Sequence, residues 1–342
     1  MKNFNLVAIV VMASLLFAGC QKESFTLSGM AEDHFFLKSG NQLMPITVAG
    51  NVDSKKFIVL IHGGPGGNAL VYRNKAAKNI VENEFAMVYW DQRFAGNTQG
   101  NGGNTHISEF RSDIKKLLTL LRTKYDSDIE LYLFAHSWGG FLAPYFLADG
   151  DNQEMVKGWI QIGGAHNYRL NDSLTHNLLL HYGNIELAAG RNVSKWSEIV
   201  EWCTQNSFEG IENARKLNSF AHSAESLIEE VIEPESDFNF EQIQRYAFMS
   251  NETNSIASKI RRINHATYAN PNSDQLFKIQ IPTLLMWGKY DFVCSPGLAN
   301  DIELNIGTSD VHKIIYPYSG HNPMLNQPEE FWYDLVDWVK SH

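Results

Sequence analysis

Continuous apolar runs recur along this chain, and the stretches between them carry apolar residues at helical spacing. The runs are "FIVLIH" (57–62), "FAMVYW" (85–90), "LYLFAH" (131–136), "GWIQIG" (158–163), "TLLMW" (283–287) and "HKIIYP" (312–317). Unbroken hydrophobicity over five or six residues predicts strands covered on both faces, as in a parallel sheet. By contrast, "ISEFRSDIKKLLTLLRTKY" (107–125) sets Phe110, Ile114, Leu117, Leu118 and Leu121 on one stripe, which predicts an amphipathic helix. The closing "QPEEFWYDLVDWVKSH" starts with Pro328 and two glutamates and stripes Phe331, Leu335 and Trp338. Proline and acidic residues suit a first helical turn, so this is a second helix. Strands alternating with helices predict an α/β fold with a mostly parallel, doubly wound sheet.

The alternation stops between residues 164 and 278, where helix-like pieces such as "SKWSEIVEWC", "AESLIEEVIE" and "FEQIQRYAFM" follow one another. This predicts a core in two parts, 35–163 and 279–342, with an inserted helical cap over 164–278. Such insertions commonly lie over the carboxyl ends of the strands, where α/β sheets bind ligands. The first twenty residues read differently. One lysine, an apolar run from Leu6 to Phe17 and small residues before Cys20 form a signal-peptide pattern too short to span a bilayer comfortably. The ending "LLFAGC" resembles the bacterial lipobox, which predicts removal of residues 1–19, a lipid on Cys20 and a tether over 20–34; an ordinary signal peptide or a membrane-anchoring helix is the other reading. The expected location is the cell envelope, anchored to a membrane by that lipid.

Composition narrows the function. With 342 residues, 44% of them hydrophobic and 12% aromatic, the chain has ample material for a packed core. A net charge of -10 excludes nucleic acid as an expected partner, since phosphate contacts require a basic face. Apart from Cys20 there are only two cysteines, Cys203 and Cys294, with no CxxC and no clustered ligand spacing. Two separate buried thiols are the preferred reading, with one disulfide between them the alternative, and neither a metal nor an organic cofactor is expected.

"AHSWGG" (135–140) holds the first chemical signal. A serine between a buried strand and a helix, with small neighbours, is close to the G-x-S-x-G nucleophile elbow, Ala135 standing for the first glycine. A helix-capping serine is the other reading of Ser137. Upstream, "HGGPGG" (62–67) follows a strand directly, and its glycines free backbone N–H groups to meet a developing oxyanion. A serine hydroxyl also needs a histidine to take its proton and a carboxylate to hold that histidine. Asp291 follows the strand "TLLMW" and His321 follows "HKIIYP". Parallel strands put Ser137, Asp291 and His321 on one sheet edge, in the chain order Ser, Asp, His.

Together "HGGPGG", "YWDQRFAGNT" (89–98), "NTHISEFRSDIKKL" (104–117), "AHSWGG", "WGKYDFV" and "SGHNP" resemble the α/β-hydrolase superfamily, and within it the prolyl iminopeptidase-like serine peptidases. Two positions depart from the family pattern: Phe94 replaces the glycine of its D-Q-R-G tract, and His106 replaces the second threonine of its N-T-T. The resemblance implies Ser137 as nucleophile, His321 as general base and acid, Asp291 as its orienting partner, and oxyanion donors at the N–H groups of Gly64 and Trp138. It implies that Asp91 and Arg93 brace loops, and that a small peptide is the substrate. His62 and His136 are expected to be structural. Aminopeptidases of the family hold the substrate's ammonium with cap glutamates; the cap here has many, among them Glu186 and Glu225, and no pattern singles one out. An esterase or amidase for another small acyl substrate remains open, as does an idle lipid-tethered binding protein. A carboxylate nucleophile, as epoxide hydrolases and dehalogenases require, is absent from the elbow.

Overall fold

The structure, a computed structural model, describes residues 28–100, 103–234 and 253–342. The signal-like run and Cys20 lie outside the described residues. Among the described residues eight strands are formed: β1 (Met30–Ser39), β2 (Gln42–Asn51), β3 (Lys56–Ile61), β4 (Ala86–Trp90), β5 (Glu130–His136), β6 (Gly158–Ile162), β7 (Thr283–Gly288) and β8 (Val311–Tyr316). They make one sheet in the order β1-β2-β4-β3-β5-β6-β7-β8. Only β2 runs against the others: its pairs with β1 and β4 are antiparallel and every other pair is parallel.

Alternate residues of the apolar runs face opposite layers. On β3, Phe57, Val59 and Ile61 join one apolar cluster while Ile58 and Leu60 join another. Helices α1 (Ile107–Lys124) and α2 (Gly139–Leu147) cover the first face. Among the described residues, four helices lie between β6 and β7: α3 (Tyr168–Ala188), α4 (Val193–Gln205), α5 (Ile211–Glu225) and α6 (Thr253–Tyr268). After β7 comes α7 (Gly297–Asn305), and the chain closes with α8 (Pro328–Ser341), whose Phe331, Leu335 and Trp338 pack on the second face. A strand buried on both sides has no polar face to show, which is why its sequence does not alternate.

The hairpin β1–β2 has no counterpart among the expected strands. β1 alternates exposed and half-buried positions, and its first half carries Glu32, Asp33 and His34. β2 contains Pro45, a residue that argues against a strand except near an edge. β1 also begins at Met30, so residues 30–34 are paired strand rather than tether; their ladder to Thr47–Asn51 supplies the backbone partners.

Candidate active site

Each candidate catalytic residue sits just beyond the carboxyl end of a parallel strand. His62 and the glycines follow β3, Ser137 follows β5, Asp291 follows β7 and His321 follows β8. Because these strands share a direction, their ends open on one edge, and cap helices close over it. The result is a cavity of about 720 Å3 lined by Gly64, Ser137 and His321 from the core and by Asp172, Arg215 and Tyr268 from the cap.

Ser137 takes φ +55, a left-handed conformation that costs a non-glycine residue about 1–2 kcal/mol. The turn is fastened on both sides: its N–H donates to Ile162 O at 3.1 Å, and its own O accepts from Gly140 and Ala165 at 2.9 and 3.0 Å. Helix α2 receives no side-chain cap, so capping does not account for the serine. The close passage of strand and helix explains the glycines. A Cβ on Gly139 would lie 1.9 Å from Ile61 O, and one on Gly140 2.4 Å from Gly164 Cα. Gly139→Ala should therefore lower stability by at least about 3 kcal/mol, read as a fall in the urea midpoint, because the contact is backbone and cannot rotate away. A change below about 1 kcal/mol would mean the two segments are not this close.

Behind the turn, His321 Nδ1 and Asp291 Oδ2 are 3.0 Å apart. The carboxylate can only accept, so Nδ1 carries the proton and Nε2 is left bare. Asp291 Oδ1 accepts from the Cys294 N–H at 2.6 Å. Burial pulls the imidazole below its ordinary pKa, so His321 rests neutral. Burial likewise pushes the Asp291 carboxyl up, and the N–H groups of Cys294 and Val293 oppose that rise. Among the described residues the ring bond of His321 is the one to Asp291, and no hydrogen bond joins the Ser137 hydroxyl to His321. Bonds of this kind tighten in many enzymes only when substrate is bound.

The glycine turn presents free donors. Gly63 N–H is already given to the Tyr72 hydroxyl at 3.0 Å. The N–H groups of Gly64 and Trp138 have no acceptor among the described residues. His62 fixes the peptide that bears the Gly64 N–H: its Nε2 accepts from Gln92 N at 3.1 Å, so Nδ1–H donates to Gly63 O at 2.7 Å. His62 is structural, as its position suggested.

The bracing residues are engaged as the resemblance implied. Asp91 accepts from Ala69 N and Asn97 N at 2.7 and 2.8 Å, and buried Arg93 pairs with Asp113 at 2.6 Å. Phe94 holds φ +60, a conformation glycine adopts freely, which explains a glycine in the D-Q-R-G tract. Cys203 and Cys294 are free and buried. No three His, Cys, Asp or Glu side chains are grouped to hold a metal among the described residues.

Two cap glutamates are not solvated. Glu186 pairs with Arg191, and Glu225 reaches the core, where Oε1 accepts from the N–H groups of Phe292 and His321 at 3.2 and 3.1 Å. Neither lines the cavity. The carboxylate that does is Asp172, 7% exposed, on the same α3 stripe as Thr175, Leu179, Gly183 and Glu186. A carboxylate on the buried stripe of a helix was the signal available in the sequence. Its Oδ2 has no hydrogen-bond partner among the described residues, and burial pushes its pKa up to about 7, with the Tyr268 hydroxyl opposing.

Known proteins similar to this chain include several hydrolases. A proline iminopeptidase of Clostridioides difficile is 24% identical over 305 residues, 86% of this chain and 93% of the relative. A probable aminopeptidase of Bacillus subtilis, YbaC, is 31% identical over 114 residues, 32% of this chain and 35% of the relative. Among solved structures, a proline iminopeptidase-related protein of Thermus thermophilus superposes with TM-score 0.63 at 18% identity, covering 90% of this chain and 97% of that one. An esterase of Exiguobacterium antarcticum gives 0.60 at 18%, covering 90% and 100%. At such identities the structures speak for the fold alone. The model of the family described as serine aminopeptidase, S33, matches residues 53–227, and the chain belongs to that family of α/β-hydrolases.

Proposed function

We propose that this serine hydrolase is an aminopeptidase for short peptides, with Ser137 as nucleophile, His321 as base and acid, and Asp291 as its orienting group. Ser137 Oγ attacks the scissile carbonyl as its proton passes to His321 Nε2. The oxyanion turns to the N–H groups of Gly64 and Trp138, and the imidazolium is stabilised by Asp291. The imidazolium then protonates the leaving amine, and water activated by the same nitrogen releases the acid from Ser137.

The observation that favours an amine-bearing substrate is Asp172. A buried carboxylate with an unpartnered oxygen is costly, and a cation entering the cavity would offset that cost. A substrate ammonium supplies such a cation; a neutral ester does not. Asp172→Asn should raise KM for free aminoacyl-naphthylamides about 10- to 100-fold, the range of a charge-assisted bond. Turnover of N-acetylated naphthylamides and nitrophenyl esters should change less than about twofold. The same variant should be more stable than the parent above pH 7. The folded pKa is raised, so ionising Asp172 costs stability from the unfolded pKa near 3.8 upward. A structural carboxylate would give the opposite sign. In the parent, KM for free amines should rise as pH falls through about 7, where the carboxylate is protonated. Turnover of esters alone, with no amide cleaved, would favour the esterase reading.

A further inference from the structure

Tyr72 and His136 form a chain of hydrogen bonds between the two halves of the proposed machinery. Tyr72 Oη accepts from Gly63 N–H at 3.0 Å and lies 2.7 Å from His136 Nδ1; His136 Nε2 lies 2.9 Å from the backbone O of His321. The proton positions follow. A carbonyl only accepts, so His136 Nε2 must carry a hydrogen. Full burial holds the His136 pKa well below its ordinary value, so the ring is neutral and Nδ1 is bare. Tyr72 therefore donates to Nδ1. Every bond points one way, from the Gly63 N–H to the His321 carbonyl, and each member is buried or lines the same cavity. Neighbours in the sequence do not impose this: Tyr72 comes from the 3-10 turn Ala69–Tyr72, His136 from the end of β5 and His321 from the loop after β8.

We infer that Tyr72 and His136 are positioning residues that set the spacing between the oxyanion turn and the general base. Tyr72 holds the peptide N–H one residue before the Gly64 donor, and His136 holds the peptide of the base itself. From the cap side, Glu225 grips the same residue through its N–H at 3.1 Å. His321 is thus held at both ends of its backbone, and its ring lies 4.7 Å from that of His136, tilted by 37°. A base displaced by a fraction of an ångström loses alignment with the serine in the transition state while ground-state binding is untouched. This inference rests on the roles proposed above for Ser137 and His321.

The test is the second-order rate of Ser137 labelling by a fluorophosphonate, with kcat and KM on a nitrophenyl ester, so that amine recognition does not enter. His136→Asn keeps an acceptor near Nδ1 but cannot reach the His321 carbonyl; His136→Gln places its amide N–H close to the Nε2 position. The Asn variant should label about 10- to 100-fold more slowly with KM within twofold of the parent, and the Gln variant should recover to within about threefold. Tyr72→Phe removes one oxygen and should slow labelling about tenfold, and it carries the test should His136→Asn not fold. Equal rates for parent, Asn and Phe variants overturn the inference, as does an equal fall in the Asn and Gln variants, which would indicate packing alone. Failure of the parent itself to label at Ser137 would strike the proposed function instead.

Discussion

Ser137→Ala should lose turnover by on the order of 10^4–10^6-fold, with fluorophosphonate labelling gone and the urea midpoint within about 1 kcal/mol of the parent. The reasoning starts from the backbone. Ser137 stays at φ +55, where glycine is the unstrained choice, and its side chain neither caps α2 nor serves as a buried anchor. A residue kept in a strained conformation without a packing reason points to chemistry at that position. Ser137→Gly makes the point sharper: it should be as inactive as the alanine variant and about 1 kcal/mol more stable, because the strain is released. Residual hydrolysis would come from the oxyanion donors and binding, which neither substitution removes. Activity within tenfold of the parent in the alanine variant would end the proposal that Ser137 is the nucleophile.

The strands that carry this site were legible because a doubly covered strand writes its burial as an unbroken apolar run. β3, β5, β7 and β8 match their runs to within a residue or so, and the loops after them hold Ser137, Asp291 and His321. The β1–β2 hairpin was not legible. Half of β1 faces solvent, so its pattern is weak, and Pro45 masks β2. Asp172 was hidden for a different reason. Its stripe on α3 mixes Thr175, Gly183 and Glu186 with Leu179, and such a stripe does not stand out by hydrophobicity. Glutamates drew the attention in the cap, yet Glu186 is paired with Arg191 and Glu225 is held by two backbone donors, pairings that depend on folded geometry. Tyr72 could not be found at all from sequence, since its partners lie 9 and 64 positions away on separate elements.

Asp291→Asn should reduce kcat/KM about 10^4-fold while leaving the fold intact. The cause is the tautomer of His321. Asp291 Oδ1 receives the Cys294 N–H at 2.6 Å and Oδ2 faces His321 Nδ1 at 3.0 Å. An amide in that place must turn its single oxygen to the Cys294 N–H, which has no other way to be satisfied. Its NH2 then points at Nδ1, and Nδ1 can meet it only by giving up its proton. The proton moves to Nε2, the nitrogen that must accept from Ser137, and the base is blocked. Stability should move the other way. Burial raises the folded pKa of Asp291, so each step in pH above the unfolded value near 3.8 costs stability until the folded carboxyl is ionised as well. Asparagine carries no such charge. The variant should therefore match the parent near pH 4 and exceed it at higher pH, the margin levelling off once the folded carboxyl is ionised, measured as the difference in urea midpoints. A variant less stable than the parent across that range, or one retaining a tenth of the activity, would show that Asp291 is a structural anchor of its loop and that another group orients His321.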